Sequence, residues 1–188
     1  MTQQEILQIF RDSGALLDGH FILRSGLHSR QFFQCALALQ QMRDVEKLGG
    51  ELAAKARAWK PQTVVSPAMG GLVLGQEVAR QLGVRFIFVE KEDNKLALRR
   101  GFKIAPGEKI LIVEDVVTKG GRVQECLDII RAHGGEVVGV AMAVDRSGGS
   151  IHFGLPIVSL LTMNVETFPA DQLPEDLARI PAYKPGSK

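Results

Sequence analysis

Cysteine is almost missing from this 188-residue chain: Cys35 and Cys126 are the only two. They lie far apart and in no paired pattern, which excludes a disulfide scaffold and leaves both as small buried hydrophobes. Long apolar runs are missing too. No stretch approaches the roughly 20 residues that a bilayer-spanning helix needs. The opening residues, MTQQEILQIFRDSG, have the spacing of an amphipathic helix rather than the basic-then-apolar order of a signal. A cytoplasmic protein without a membrane partner is the expectation. No excess of one charge is present, since 23 Lys and Arg stand against 21 Asp and Glu. That balance excludes the broad basic surface of a nucleic-acid-binding protein, so affinity for anions has to come from local placement. His20, His28, His133 and His152 show no His-x-x-x-His spacing, which excludes a zinc site held by the protein alone; a metal that takes part in function is expected to arrive with the substrate. G-x-x-x-x-G-K-[ST] and G-x-G-x-x-G are both absent, and with them the main support for a P-loop hydrolase or a dinucleotide-binding protein.

What is present suits one sizeable core. Hydrophobic residues make up 45% of the chain, and no repeat, low-complexity segment or linker divides it, so a single domain over residues 1–188 is expected. Thr2 and Glu5 form a capping box ahead of Ile6, Leu7, Ile9 and Phe10, and Gly14 closes that helix. HFILRSG and SRQFF read as an N-terminal hairpin. From Val45 apolar residues recur at 48, 52, 56 and 59, the spacing of a helix that ends near Trp59, before Pro61. Then the pattern alternates: strand TVVS, turn PAMGG, helix LVLGQEVARQL closed by Gly83, strand RFIFVE, a long loop, strand KILIVE, turn DVVTKGG, helix RVQECLDIIRAHGG, strand EVVGVAMAVD. Strands without strict polar alternation, separated by helices, predict a doubly wound α/β fold with a mostly parallel sheet buried on both faces. PIVSLLT adds one more strand, and the polar tail after it is expected to be loosely ordered.

Ligands of such sheets bind beyond the carboxyl ends of the strands, which directs attention to PAMGG, the loop after VEK, EDVVTKGG and the end of AVDR. A glycine turn leading into a helix offers backbone N–H groups and a positive dipole end to a phosphate. Thr118 adds a hydroxyl and Lys119 a charge. Glu114 and Asp115, just ahead of that turn, would repel a bare phosphate. They make sense for a ligand with hydroxyls or a bound Mg²⁺ beside its phosphate, as in a phosphorylated sugar. Lys91 to Lys109 separates two strands by more than the ~12–15 residues that an ordinary loop reaches. With Lys91, Lys95, Arg99, Arg100, Lys103 and Lys109 it reads either as a basic lid or as an exposed hairpin whose charges are solvated.

ILIVEDVVTKGG resembles the phosphoribosyl-pyrophosphate signature of the type I phosphoribosyltransferases. LRSGLHSRQFF, SPAMGG at 66–71, FVEKE followed by LRRGF, and AVDR at 143–146 are similar to those members of the family that act on orotate, in the same order along nearly the whole chain. The resemblance implies the type I fold: a sheet-and-helix core over about residues 41–165, with residues 1–40 and the C-terminal part forming a hood over the base site. It implies transfer of ribose 5-phosphate from phosphoribosyl pyrophosphate (PRPP) to orotate, giving orotidine 5′-monophosphate and pyrophosphate. Mg²⁺ would be carried mainly by the substrate, with Asp115 as its protein ligand. Glu114 and Asp115 would face the ribose hydroxyls. Val116, Val117, Thr118, Lys119, Gly120, Gly121 and Arg122 would hold the PRPP phosphate end. Arg24, Phe32, Phe33, Thr118 and Arg146 would hold orotate. Lys91, Lys95, Arg99 and Arg100 would close over pyrophosphate from the neighbouring subunit of a homodimer. A transferase for a purine base and a non-catalytic regulator that senses PRPP are the alternatives; the former would lack the LRSG, FF and AVDR combination, and the latter would add a DNA-binding helix pair or basic face. The chain departs from relatives at Lys119, where a small residue is common; at Arg122, where Ser or Thr is common; and at Gly70, where some carry Lys. A Lys-x-His lid pattern is absent.

Overall fold

A computed structural model of the chain describes residues 1–23, 25–93 and 95–185. Helix α1 (Gln3–Asp12) begins with the expected capping box: Glu5 N–H donates to Thr2 Oγ1 at 3.2 Å and Thr2 N–H to Glu5 Oε2 at 2.7 Å. Gly14 turns the chain with φ +70° into β1 (Leu16–Ile22), which pairs antiparallel with β2 (His28–Phe33) from Leu16 opposite Phe33 to Ile22 opposite His28. A single helical turn, α2 (Ala36–Leu39), follows; four residues are too few to produce a readable period. Helix α3 (Met42–Ala56) buries Val45, Leu48, Leu52 and Ala56, the face that their spacing required, and Arg57–Trp59 tightens into a 3₁₀ turn.

The alternating section builds β3 (Thr63–Pro67), α4 (Gly71–Leu82), β4 (Arg85–Glu92), β5 (Lys95–Leu98), β6 (Lys109–Val117), α5 (Gly121–Ala132), β7 (Glu136–Asp145) and β8 (Ile157–Thr162). These form a six-stranded sheet in the order β5-β4-β3-β6-β7-β8, parallel except for the β4–β5 pair. Strand β6 lies deep in it and shows the two-residue period of a strand covered on both faces. Leu111 and Val113 join the core with α3 and α4; Ile110 and Ile112 join the core with α5, through Val123, Leu127 and Ile130. Cys35 and Cys126 are buried, and burial pushes both thiols up, so they remain protonated.

Two expectations need correction. The segment from Lys91 to Lys109 is built as a hairpin, the second of its two readings, and not as one long loop: Val89 faces Leu98 and Lys91 faces Leu96 in an antiparallel pairing that extends the sheet edge. Nor is the polar tail loose over its described residues, which end at 185. Strand β9 (Thr167–Phe168) joins β2 to make a three-stranded sheet in the order β1-β2-β9, and α6 (Glu175–Ala178) follows. Arg30 holds both pieces, donating to Glu166 at 3.0 Å and to Asp176 at 2.9–3.1 Å. Farther on, Tyr183 N–H donates to His20 O and Ile22 N–H to Tyr183 O, each at 2.9 Å. Buried His20 completes the tie, with Nδ1 2.7 Å from Ile180 O and Nε2 2.6 Å from His28 Nδ1. Except for His20 and His28, these partners lie more than a hundred residues apart in sequence, beyond the reach of any local pattern.

Candidate active site

The strand order changes direction between β3 and β6. The chain leaves β3 toward β4 on one side and returns through β6 on the other, so the turns after β3 and β6 meet at one rim, the place where doubly wound sheets bind ligands. The contact is close. A Cβ on Gly70 would lie 2.6 Å from Asp115 Oδ1, and one on Gly71 would lie 3.0 Å from Glu114 Oε1. Both carboxylates of the acid pair therefore rest against the first residues of α4, and glycine is needed at both positions for that approach. Glu114 is buried at 5% exposure, and its Oε1 accepts Asp115 N–H at 3.1 Å. Burial first, then the charge of Asp115, pushes the Glu114 carboxyl well above the usual carboxylate range, while Arg122 pulls it back. Asp115 is less covered, and its Oδ1 accepts Val116 N–H at 2.8 Å.

The turn after β6 divides the rim into two chambers. One, of about 360 Å³, is lined by Glu114, the Val116–Val123 segment and Glu125. The other, of about 1010 Å³, is lined on the sheet side by Thr118, Lys119, Gly120, Gly121 and Arg146, and on the side of the small sheet by Ser25, Leu27, Val165 and Thr167. Thr118 and Lys119 are exposed and belong to both. Gly120 adopts φ +76° to open helix α5, and a Cβ there would lie 2.9 Å from the Phe153 ring. The α5 start, Thr118 and Lys119 line both chambers, so backbone N–H groups, a hydroxyl and an ammonium are available there. This is the donor set that a phosphate needs.

Arg146 stands half-buried at the floor of the larger chamber, held by its backbone N–H to Val117 O at 2.8 Å. Its Nε is buried without a hydrogen-bond partner among the described residues, and burial holds the guanidinium below its ordinary value. Arg146 lines the larger chamber, and a guanidinium whose Nε has no protein partner is chemically suited to a planar anion. Asp145, which sequence reading passed over, sets this loop: its carboxylate accepts Ser147 N–H at 2.8 Å and Gly149 N–H at 3.1 Å. The signal was in AVDRSGG, where an acid stands three residues ahead of a Gly-Gly turn.

The remaining candidates divide. Arg24 lies outside the described residues. Phe33 does not face the cleft: it packs in the core 4.9 Å from the Phe10 ring, while Phe32, on the opposite strand face, packs 5.8 Å from Phe21. Neither ring lines either chamber; Leu27, Ile151, Phe153 and Val165 supply apolar surface in the larger one. Lys91 and Lys95 are exposed on the hairpin. Arg100 is paired with Glu90 at 2.7 and 2.9 Å, and Arg99 with Glu92 at 3.2 Å. Among the described residues no group of three or more His, Cys, Asp or Glu side chains is placed to hold a metal ion, and no helix is long and apolar enough to cross a membrane.

Known proteins are similar to this chain in sequence and in fold. Residues 36–168 match the family model of the phosphoribosyl transferase domain. The chain belongs to the phosphoribosyltransferase family. Over its full length it is 49% identical to an orotate phosphoribosyltransferase of Desulforamulus reducens, of which 98% is covered, and 46% identical to one of Caldicellulosiruptor saccharolyticus, also covered to 98%. In fold, this phosphoribosyltransferase is similar to the crystal structure of Mycobacterium tuberculosis orotate phosphoribosyltransferase, with a TM-score of 0.72 and 24% identity over 85% of this chain and 95% of that one. The family assignment agrees with the motifs at the rim, each of which lies at a strand end.

Proposed function

We infer that the chain is an orotate phosphoribosyltransferase, a pentosyltransferase that moves ribose 5-phosphate from PRPP to N1 of orotate and releases pyrophosphate. The observation that carries this is relatedness of 46–49% identity, end to end, to proteins of that name. The divided rim supports it: a phosphate cradle beside two carboxylates, adjoining a chamber with one unpaired arginine, suits a phosphorylated sugar meeting a planar carboxylated base.

In this reading the 5′-phosphate occupies the turn from Thr118 to Arg122, and Glu114 and Asp115 accept hydrogen bonds from the ribose hydroxyls. Arg146 takes the orotate carboxylate through its free edge. The small sheet β1-β2-β9 and the C-terminal residues cap the base as a hood over the core. The bond from ribose C1 to pyrophosphate breaks with its electron pair leaving on oxygen, and N1 of orotate, having lost its proton, forms the new bond to C1. Positive charge grows on the sugar beside the Asp115 carboxylate and the Glu114 carboxyl group, and negative charge grows on the leaving group. A preorganised donor at such a developing charge contributes roughly 10²–10³ in rate. Two carboxylates with no third protein ligand fit Mg²⁺ that shares substrate oxygens, with Asp115 as the protein's contribution. The ion supplies charge neutralisation on the pyrophosphate. Lys91, Lys95, Arg99 and Arg100 are proposed, on family resemblance, to close over the pyrophosphate of the neighbouring subunit in a cytoplasmic homodimer.

The test is turnover with PRPP, Mg²⁺ and one base at a time, followed by loss of orotate absorbance, on protein whose mass in solution is measured by light scattering. Orotate is expected to react and adenine, hypoxanthine and uracil to be inert. Turnover of a purine but not of orotate would sink the orotate reading, and full activity as a monomer would remove the shared lid.

A further inference from the structure

Within the turn from Thr118 to Arg122, Gly120 is buried and the other four residues are exposed. What covers it comes from outside the motif. A Cβ on Gly120 would lie 2.9 and 3.0 Å from two atoms of the Phe153 ring and 3.7 Å from Ile151 Cγ2. The ring therefore fills the space in which a side chain at 120 would stand, and it rests on the residue whose φ of +76° opens α5. The first N–H groups of a helix have no partner within it, so their direction depends on how the turn before them is held. Phe153 belongs to a loop with its own fastening. Asp145, buried at 5% exposure, accepts Ser147 N–H at 2.8 Å and Gly149 N–H at 3.1 Å. Ser147 Oγ in turn accepts Ser150 N–H at 3.0 Å and Ile151 N–H at 3.2 Å. Short polar side chains that take backbone N–H groups a few residues on fix such turns locally. Arg146 and Phe153 line the larger chamber, and Gly120 lines both chambers. One ring thus joins the loop that follows Arg146 to the turn that follows the acid pair.

We propose that Phe153 is a positioning residue for the reaction: from the loop that Asp145 fastens, its ring braces Gly120 and so holds the N–H groups of the Thr118–Arg122 turn in the direction that the 5′-phosphate requires. The assignment rests on the PRPP reading and adds to it a residue that none of the rim motifs contains. Phe153 has no group to offer a phosphate, so its effect passes through Gly120. Glycine suits the positive φ of this turn but leaves the backbone free to adopt many others. The ring removes part of that freedom before a ligand arrives, which lowers the ordering cost of binding. The gain is large for a small displacement, since donors misplaced by about 1 Å can cost roughly 10²-fold.

Calorimetric titration of the wild type, Phe153→Leu and Phe153→Ala with ribose 5-phosphate tests the brace, beside steady-state KM values for PRPP and for orotate, at a temperature where melts show each protein folded. Phe153→Ala is expected to weaken ribose 5-phosphate roughly 10- to 100-fold and Phe153→Leu, which keeps part of the contact, about threefold. KM for PRPP should rise in the same order, and KM for orotate by less, although the ring lines the larger chamber as well. Phe153→Ala opens a cavity and should also lower the melting temperature. Should it not fold, Phe153→Leu alone carries the comparison. A ring that only fills space would lower the melting temperature and leave the affinity of the folded protein for ribose 5-phosphate unchanged, and that result overturns the proposal. So does a loss for ribose 5-phosphate no larger than the rise in orotate KM, which would make the ring a wall of the base chamber, and so does a wild type without affinity for ribose 5-phosphate. A wild type that binds ribose 5-phosphate through the braced turn yet leaves orotate unreacted would instead overturn the reaction assigned above.

Discussion

Two sets of basic residues flank the site, and they are held in opposite ways. On the sheet edge, Arg99 and Arg100 are bound to Glu90 and Glu92 by close ion pairs. At the rim, Lys119, Arg122 and Arg146 make no ion pair among the described residues, and Arg146 leaves a buried Nε with no partner. Composition counts the five alike. Their circumstances differ because the hairpin arginines face carboxylates across the β4–β5 pairing, whereas the rim cations project from turns whose nearby acids are occupied with glycines and backbone N–H groups. A cation left without a partner at a strand end is free to bind substrate anions. A paired one must first exchange its carboxylate.

The sharpest test of that division is Arg146→Gln. Removal of the unpaired fork donor should reduce kcat/KM for orotate roughly 10²-fold or more, with KM for PRPP little changed. Stability should hold or rise slightly, since a half-buried charge without a partner is costly to keep. Steady-state kinetics with each substrate varied, beside thermal melts, separates the two effects. An unchanged orotate KM together with a lower melting temperature would place Arg146 among the structural cations and break the comparison.

Glu90→Gln addresses the other set and should act more weakly. If the hairpin arginines serve pyrophosphate only after giving up Glu90, their release is expected to lower KM for PRPP a few-fold, the range of exposed ion pairs, and Arg100→Ala in the same background should abolish the gain. No change in KM in either variant would mean that these arginines only fasten the hairpin.

This contrast also separates what could be read from the sequence from what could not. The acid pair and TKGG turn were legible because strand, turn and helix start are consecutive and each has a local signature. PAMGG and AVDR were legible for the same reason, once parallel topology put strand ends on one rim. The β4–β5 hairpin was legible only as one of two readings, because Asp93 is in the left-handed region at φ +47° without the Asn-Gly or Asp-Gly pair that marks tight hairpins. Phe32 and Phe33 show a finer limit. Alternation says that adjacent strand residues face opposite sides, but the locations of Phe10 and Phe21 decide which side is core, and both turned out to be filled by protein. The hydrogen bond from Arg122 to Ala68 O spans the junction between β3 and β6 and depends on strand order, which no single segment encodes.

The smallest effect belongs to a fully paired cation remote from the rim. Arg30 donates three hydrogen bonds to Asp176 and one to Glu166, and its guanidinium lies 4.9 Å from the Phe168 ring centre, so it joins β2 to the C-terminal tail. The Arg30 hydrogen bonds hold the Asp176 carboxyl below the usual range. A carboxylate that ionises more readily in the folded chain contributes stability above its unfolded value, near 3.9, and loses it as pH falls through the lower folded value. Asp176→Asn should therefore melt slightly below the wild type at about pH 6, and the gap should close as the pH is lowered to about 3. The group is fully exposed, so screening keeps the difference small and added salt should narrow it further. A gap that persists unchanged at low pH and high salt would mean that Arg30 holds the tail through packing on Phe168 and not through charge, which would separate this paired cation from Arg99 and Arg100.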